Sequence, residues 1–553
     1  MTGHRLAPLV AVLAAGCGGG GPHGVGRLRF VNRPPVALVN DRRPIPPPRF
    51  AQPGLVQYYF RTSLAAPAVE ALTVRRHHPA RDVNSLGQVP DSTWFTNRAG
   101  RITPAEVRRG PGRGGGPDRS GPWRVDGIKI GGAAIGVTVK DARGDRFIVK
   151  FDERRFPETE SSADVIVQRL TWALGYNVPE NDVVQFPCDK LVLADDAKYE
   201  DRAGHERPMT QADLDGFFEL VRPASGPCRA LASRFIDGTP AGGVMPIGVR
   251  SGDPNDSVAH EDRRALRGQR LLFSWVDHTD MKQQNTFTSY DKERRHLVHY
   301  FLDFGGSLGT LARVDGVPYM GHRTAWGITA GFKSLLSLGL WVPPWDQRLL
   351  EPTFRGVGYF DAETYDPARW TPHYRWAPFD AADRFDDYWA ALILLQLTPA
   401  HVRAAVEAGR YSDPRASEYV TRVLLARRAI AARWALSRVA PFEELAVEDA
   451  APGGRFTLCF DDLWVRHRFG QPGATRYGAT SFDFDGRRLG SAAAAPVSGS
   501  RVCLTGLAGG AAHEGYSIVE IAARRGDQEV PPVFVHLARD RAGRLAVIGV
   551  DRR

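Results

Sequence analysis

Asp280, Lys282 and Asn285 lie in the stretch H-T-D-M-K-Q-Q-N (278–285), and Asp303 opens a D-F-G tripeptide eighteen residues after the asparagine. A carboxylate, a cation two residues on and two hard oxygen donors at these spacings match what in-line transfer of a phosphoryl group asks of a protein. That reaction needs a carboxylate to orient the acceptor hydroxyl, a positive charge near the transferred group and oxygen ligands for a divalent cation. Asp280 suits the first role and Lys282 the second. Asn285 and Asp303 suit the third, as ligands of Mg²⁺ or Mn²⁺. His278 would brace the loop. Asp277 is a second carboxylate nearby, but a base there would break the five-residue gap to Asn285, so it reads as a turn cap.

The elements that must position these residues can be read outward from them. A helix over 261–276 runs into the H-T-D stretch, and a strand over 295–306 ends on D-F-G. Upstream, β-branched residues and Gly punctuation predict strands at 123–130, 137–142 and 146–152. Between the first two lies a small-residue turn containing Gly131, Gly132 and Gly136, which lets backbone N–H groups approach phosphates but reads equally well as a plain hairpin turn. Lys150 sits fourteen residues after Gly136 inside an apolar strand, in a chain with only eight lysines. A charge there is costly to bury unpaired, so it needs a partner. A helix over 158–175 comes after it, capped by Ser161 or Ser162 and ended by Gly175. It carries Glu160 and Asp164, either of which can supply that partner, although acids near a helix start also suit the macrodipole. Strands at 176–186 and 189–195 come next. From about 210 the chain turns more helical, with further helices over 383–397 and 399–438.

In chain order these are a Gly turn, a strand lysine, a helix acid, H-x-D-x-K-x-x-N and D-F-G. That order resembles the atypical side of the protein-kinase-like superfamily: the toxin-type serine kinases, the spore-coat kinases and the phosphatidylinositol-kinase-like proteins. The phrases W-A-L-G-Y-N-V-P-E-N (172–181) and H-Y-F-L-D-F-G-G-S-L-G (299–309) also resemble bacterial lipoproteins with that fold. The resemblance covers roughly 120–440. It implies an α+β, two-lobed kinase-like fold, with a β-rich N-lobe in 55–210 and a helical C-lobe in 211–445. It implies ATP with Mg²⁺ or Mn²⁺, and transfer of the γ-phosphate to a hydroxyl on protein, sugar or lipid. Lys150 would hold the α and β phosphates, paired with Asp164 in the position of the helix acid of the toxin-type enzymes. Thr279 stands where H-R-D has Arg, and no A-P-E segment comes after D-F-G. The first departure argues against control by activation-loop phosphorylation, and the second against a protein acceptor. Two other readings share the scaffold: a non-catalytic binding lipoprotein, and transfer of AMP.

The chain has 553 residues and a formal net charge of +10, but no dense basic run interleaved with aromatics, so nucleic-acid binding is not expected. His4 and Arg5, an apolar stretch from Leu6 to Ala15 and then Cys17 resemble a lipoprotein signal with its lipobox, although Ala14 stands where Leu is usual. Residues 1–17 are therefore read as a signal peptide with a lipid-bearing Cys17 that anchors the protein to a membrane at the cell envelope. Residues 18–54, rich in Gly and then Pro, read as a tether. Residues 55–107, with 91–100 as their clearest apolar and aromatic cluster, are expected to pack on what comes after them, and 108–122 to be a surface loop. In an oxidising compartment the remaining four cysteines would pair as Cys188–Cys228 and Cys459–Cys503, each within one domain, although three connectivities exist. A last β-rich domain spans 446–553, where Asp461, Asp462 and the D-F-D-G of 483–486 read as turn acids.

Overall fold

A computed structural model describes residues 29–30, 40–51, 58, 60, 78–128, 135–200, 205–223, 225–317, 320–324, 333–341, 352, 354–448, 455–471, 473–493 and 499–553. Cys17, Gly131 and Gly132 lie outside the described residues, as do most of the signal and tether segments. The chain is mixed α and β and forms two compact units, Ala37–Val439 and Ala440–Arg553, the latter together with the residues up to Val36.

In the larger unit, seven strands make one sheet in the order β4-β7-β3-β2-β1-β5-β6. They are β1 (Trp123–Ile128), β2 (Ile135–Lys140), β3 (Arg146–Phe151), β4 (Asn181–Phe186), β5 (Leu191–Glu200), β6 (Glu206–Pro208) and β7 (Cys228–Arg234). The pairs are antiparallel except β1 with β5. Alternation along β3 buries Phe147, Val149 and Phe151 in a core with Trp123, Val137 and Phe217. Ile148 and Lys150 point to the other face. There the helix Thr159–Leu174 packs, through Val165 against Val183 and Leu231. Leu231 is the cross-strand neighbour of Lys150.

A second sheet, β10-β9-β8, comprises β8 (Thr239–Gly242), β9 (Thr286–Asp291) and β10 (His296–Phe301). The helices whose bounds are described include α1 (Pro104–Arg109), α2 (Thr159–Leu174), α3 (Gln211–Val221), α4 (Arg264–Arg267), α5 (Gln269–Trp275), α6 (Thr310–Val314), α7 (Ala377–Asp380), α8 (Arg384–Leu395), α9 (Pro399–Ala408) and α10 (Pro414–Ser437). Among the described residues no single helix is long and apolar enough to cross a membrane.

Several expectations change. The helix read over 261–276 is broken at Gly268, where a Cβ would meet the Trp389 ring at 2.7 Å. The helix read over 399–438 is two, because Asp413 caps a fresh start at Pro414. The region after 210, read as more helical, also contains β7 and β8, which were not anticipated; β7 reads Cys-Arg-Ala-Leu-Ala-Ser-Arg, whose small residues carry no clear strand pattern. Part of the expected tether is packed. Ile45 is buried with Ala241, Tyr290 and Leu297, its N–H donates to Arg295, and Asp41 accepts from the Thr93 N–H and hydroxyl. The stretch 91–100 does pack: Trp94 stacks on His299 with centroids 3.7 Å apart. The loop 108–122 is pinned through Gly114 and Gly116 N–H groups to Glu180 and Asp182.

In the smaller unit, β11 (Phe442–Glu448), β12 (Arg455–Asp462) and β15 (Arg501–Ala508) form one sheet. The other sheet runs β14-β13-β16-β17-β18, from β13 (Thr475–Phe482), β14 (Arg488–Ala493), β16 (Ser517–Arg525), β17 (Gln528–Arg539) and β18 (Leu545–Arg552). Phe442, Leu458 and Val502 share one core with Ile521, Val533 and Val535, so the two sheets make a sandwich. Both expected disulfides are present, Cys188–Cys228 and Cys459–Cys503. Glu448 lies beside the second, but sulfurs joined in a disulfide offer no thiolate to a metal. Asp462 caps the short helix α11 (Leu463–Arg466) and accepts from Tyr477 and Arg525, the role of a structural acid. Arg29 and Phe30 belong to this unit. The Phe30 N–H donates to the Tyr516 hydroxyl, and its ring fills the space where a Cβ on Gly549 would sit.

A buried knot in the larger unit carries a pH dependence. Burial works against the Asp256 charge, yet a hydrogen bond and charge from His260, the Arg263 guanidinium and the Arg250 N–H outweigh it and hold the carboxyl well below its usual range. A depressed carboxyl contributes stability that is present above its unfolded pKa, about 3.9, and is lost as pH falls below it. Asp256→Asn should therefore lower stability at pH 7 by about 3–5 kcal/mol and flatten the acid limb of a denaturant-melt series. An unchanged acid limb would contradict this.

Candidate active site

Lys150 stands on β3, with Gly136 of β2 on one side and Leu231 of β7 on the other. Its Nζ donates to Asp303 Oδ1 at 2.8 Å, across 153 residues of sequence. Burial opposes the Lys150 charge, but Asp303, then Asp164 and Glu160, outweigh it and hold the ammonium above its usual range. The direct partner is thus the aspartate of D-F-G and not the helix carboxylate anticipated from the sequence. Asp164 is buried and accepts from Asn181 Nδ2 at 2.6 Å. Burial pushes its carboxyl up to about 6 against the pull of Lys150. Glu160 lies one turn earlier on the same face of α2. Burial, then repulsion from Asp152 and Asp303, drives it to about 8.

The start of α2 is not capped by a serine. Glu158 sits there in the left-handed region, and Asp152, just past β3, accepts from both the N–H and the hydroxyl of Ser161. Arg229 pairs with Asp152 at 3.1 Å and also holds the Ser161 and Ser162 hydroxyls. Lys150, Asp152, Glu160, Asp164, Asp303 and Gly305 line a cleft of about 270 Å³, part of it open to solvent.

The second cluster is the loop after α5. Arg427 of α10 binds the Ser274 and Trp275 carbonyls at the end of α5, and Trp275 Nε1 donates back to Leu424. Asp277 turns the chain at φ 50° and accepts from Trp370 Nε1. His278 bonds Ser307 and packs its ring between Phe273 and Phe304, where burial lowers it to about 4 and keeps it neutral. Lys282 Nζ lies 2.8 Å from both Asp280 oxygens. Asn285 Nδ2 donates to the Asp280 carbonyl at 2.7 Å and to its carboxylate at 3.0 Å, so Oδ1 is the atom left out of these bonds. The Leu302 N–H donates to the Asn285 carbonyl, which ties this loop to the residue before Asp303. Asp303 itself takes φ 60° with a half-exposed side chain.

No family model, curated protein or solved structure matches the chain.

The geometry therefore gathers Lys150, Asp164 and Asp303 in one cleft, and Asp280, Lys282 and Asn285 in a neighbouring loop. Gly136 lies on β2 beside Lys150. Asp152 and Arg229 were missed by sequence reasoning: the first hides as a strand-end acid two residues after Lys150, the second on an unrecognised strand. Asp303, Asp164 and Glu160, if all ionised, face the single ammonium of Lys150, an excess of two negative charges. Asp152 has its own cation in Arg229. That excess, and the hard oxygens of Asp303 and Asn285, suit a divalent cation.

Two measurements test this electrostatic picture in metal-free buffer. A double-mutant cycle with Lys150→Met and Asp303→Asn should give a coupling of about 1–2 kcal/mol, between surface and buried pairs because Asp303 is half exposed. A coupling near zero would mean the pair is not formed in solution. For Glu160 the folded carboxyl is raised from 4.5 to about 8, so its contribution is lost as pH climbs between those values. Glu160→Gln should remove that fall, becoming more stable than wild type at pH 8 than at pH 5. Parallel pH profiles for the two proteins would refute it.

Proposed function

We propose that the unit Ala37–Val439 is an atypical kinase-like phosphotransferase of two-lobed type, transferring the γ-phosphate of ATP to a hydroxyl acceptor. The observation that carries this reading is the meeting of Lys150 with Asp303 in a cleft beside Asp164, with Asp280, Lys282 and Asn285 in the adjoining loop. Lys150 binds the α and β phosphates by exchanging its bond to Asp303 for one to phosphate oxygen. Asp280, steadied by Lys282 and Asn285, orients the acceptor hydroxyl and receives its proton. Lys282 lends positive charge where the transferred group passes. Neutral His278 holds the loop against Phe304 without adding charge. Asn285 and Asp303 are the residues that would hold Mg²⁺ or Mn²⁺, which when bound neutralises charge on the phosphates. Lipid on Cys17 would fix the protein to a membrane at the cell envelope.

The test is a thermal shift of the full chain with ATP and Mg²⁺ or Mn²⁺, with Asp303→Ala in parallel. A ligand that binds only the folded state raises the melting temperature by mass action. Wild type should shift and the variant should not. If neither shifts at millimolar nucleotide, the reading fails. Given a shift, Asp280→Asn should lower nucleotide turnover by about 10²-fold or more while leaving the shift in place. The mass of the product separates phosphate transfer from AMP transfer.

A further inference from the structure

Four leucines stand exposed within six residues of the larger unit: Leu335 at 70%, Leu336 at 82%, Leu338 at 90% and Leu340 at 85%. Exposed large apolar side chains are ordinary one at a time, but a run of this density marks an interaction surface. The residues do not belong to the cleft or the catalytic loop, and the proposed chemistry makes no use of them.

Part of their backbone is paired within the segment. The Ser337 N–H donates to Lys333, Gly339 to Ser334 and Leu340 to Ser337. The Ser337 hydroxyl caps the end by accepting from the Trp341 N–H. Each peptide group paired inside the turn is one fewer to strand when the leucines meet hydrocarbon, an advantage over an open strand. Leu338 takes φ 51° and Gly339 φ 81°, so the chain turns among the exposed leucines.

Charge selects the occupant. From Gly316 to Trp345 the sequence contains no Asp or Glu, while Arg323 and Lys333 are present. Lys333 Nζ lies 5.6 Å from the centre of the Trp341 ring. Tryptophan and lysine beside an apolar turn are the residues that sit at the headgroup level of a bilayer. A protein partner of ordinary composition would not require thirty residues free of acids; an anionic lipid surface repels acids and attracts Arg and Lys.

We propose that the turn Lys333–Trp341 is a membrane-contact element, its leucines entering the acyl boundary of an anionic bilayer and Lys333 and Trp341 lying at the headgroups. This goes beyond the nucleotide reading and does not depend on it: loss of nucleotide binding would leave the lipid contact standing, and the reverse also holds. It is also separate from any lipid on Cys17.

The experiment uses the full chain with Cys17→Ser, which removes the lipid attachment and leaves no cysteine outside the two disulfides. Leu338→Cys then carries an environment-sensitive fluorophore. Vesicles of phosphatidylcholine mixed with phosphatidylglycerol should give a blue shift and a several-fold rise in emission, quenched by brominated acyl chains. Raised salt should weaken the response. Adding Leu335→Ser, Leu336→Ser and Leu340→Ser should abolish it without changing the melting temperature, since these side chains are exposed. No response to anionic vesicles overturns the proposal. An equal response to phosphatidylcholine alone overturns the anionic assignment. A lipid-independent response that grows with protein concentration overturns it in favour of a second copy covering the patch. Because the fluorophore reports at residue 338, insertion by the N-terminal apolar stretch cannot mimic the result.

Discussion

An ammonium on a central strand of a sheet must find an anion, and the larger unit is organised around that requirement. Lys150 meets Asp303, which arrives from the far end of a hairpin 153 residues later. Its strand is flanked on both sides, so the lysine cannot swing out toward solvent at an edge. The helix packed over that face brings two more carboxylates at i and i+4 spacing, Glu160 and Asp164. Burial raises the carboxyls of Glu160 and Asp164, and the charge of Asp303 beside them adds to it, so one cation faces three acids that compete for it. Arg229 keeps the neighbouring Asp152 out of the competition and at the same time ties down the helix start.

The loop carrying Asp280 is held differently, by packing and backbone bonds. Arg427 and Trp275 exchange hydrogen bonds between α10 and the end of α5, so the loop departs from a fixed base. His278, Ser307 and Phe304 then bind the loop to the segment after D-F-G. Asp303 occupies a left-handed conformation uncommon outside glycine, which the buried Phe304 and the Lys150 pair together hold in place. The loop of Asp280 and the cleft of Lys150 are thus kept in one register by the buried Phe304, the His278–Ser307 and Leu302–Asn285 hydrogen bonds and the Lys150–Asp303 ion pair.

Much of this was legible in advance. The strands bearing Trp123, Val137 and Lys150 and the helix bearing Asp164 announced themselves through alternation, Gly punctuation and length. Lys150 was noticed because a charge in so apolar a strand demands a partner. Its identity was not readable, since Asp164, Glu160 and Asp303 all satisfy the same requirement and only tertiary geometry ranks them. Arg229 was invisible because its strand, built from Ala, Ser and Cys, lacks a β-branched signature. The helix breaks at Gly268, whose missing Cβ leaves room for the ring of Trp389, a neighbour far along the chain. Ile45 looked like part of a Pro-rich spacer because a single apolar residue among prolines carries no periodicity.

Arg29 and Phe30 belong with Ala440–Arg553, whereas the described residues between Ala37 and Val439 belong to the other unit. In topological terms the larger unit is an insertion in the chain of the smaller, and the polypeptide crosses between them twice. A protease that severs the crossing near Val439 leaves the two units joined through residues 31–39. A cut among those residues leaves them joined through Val439–Ala440, with Phe30 gripped noncovalently by Tyr516 and the gap at Gly549. Neither nick alone separates the unit that bears the cleft from the unit that bears the sandwich.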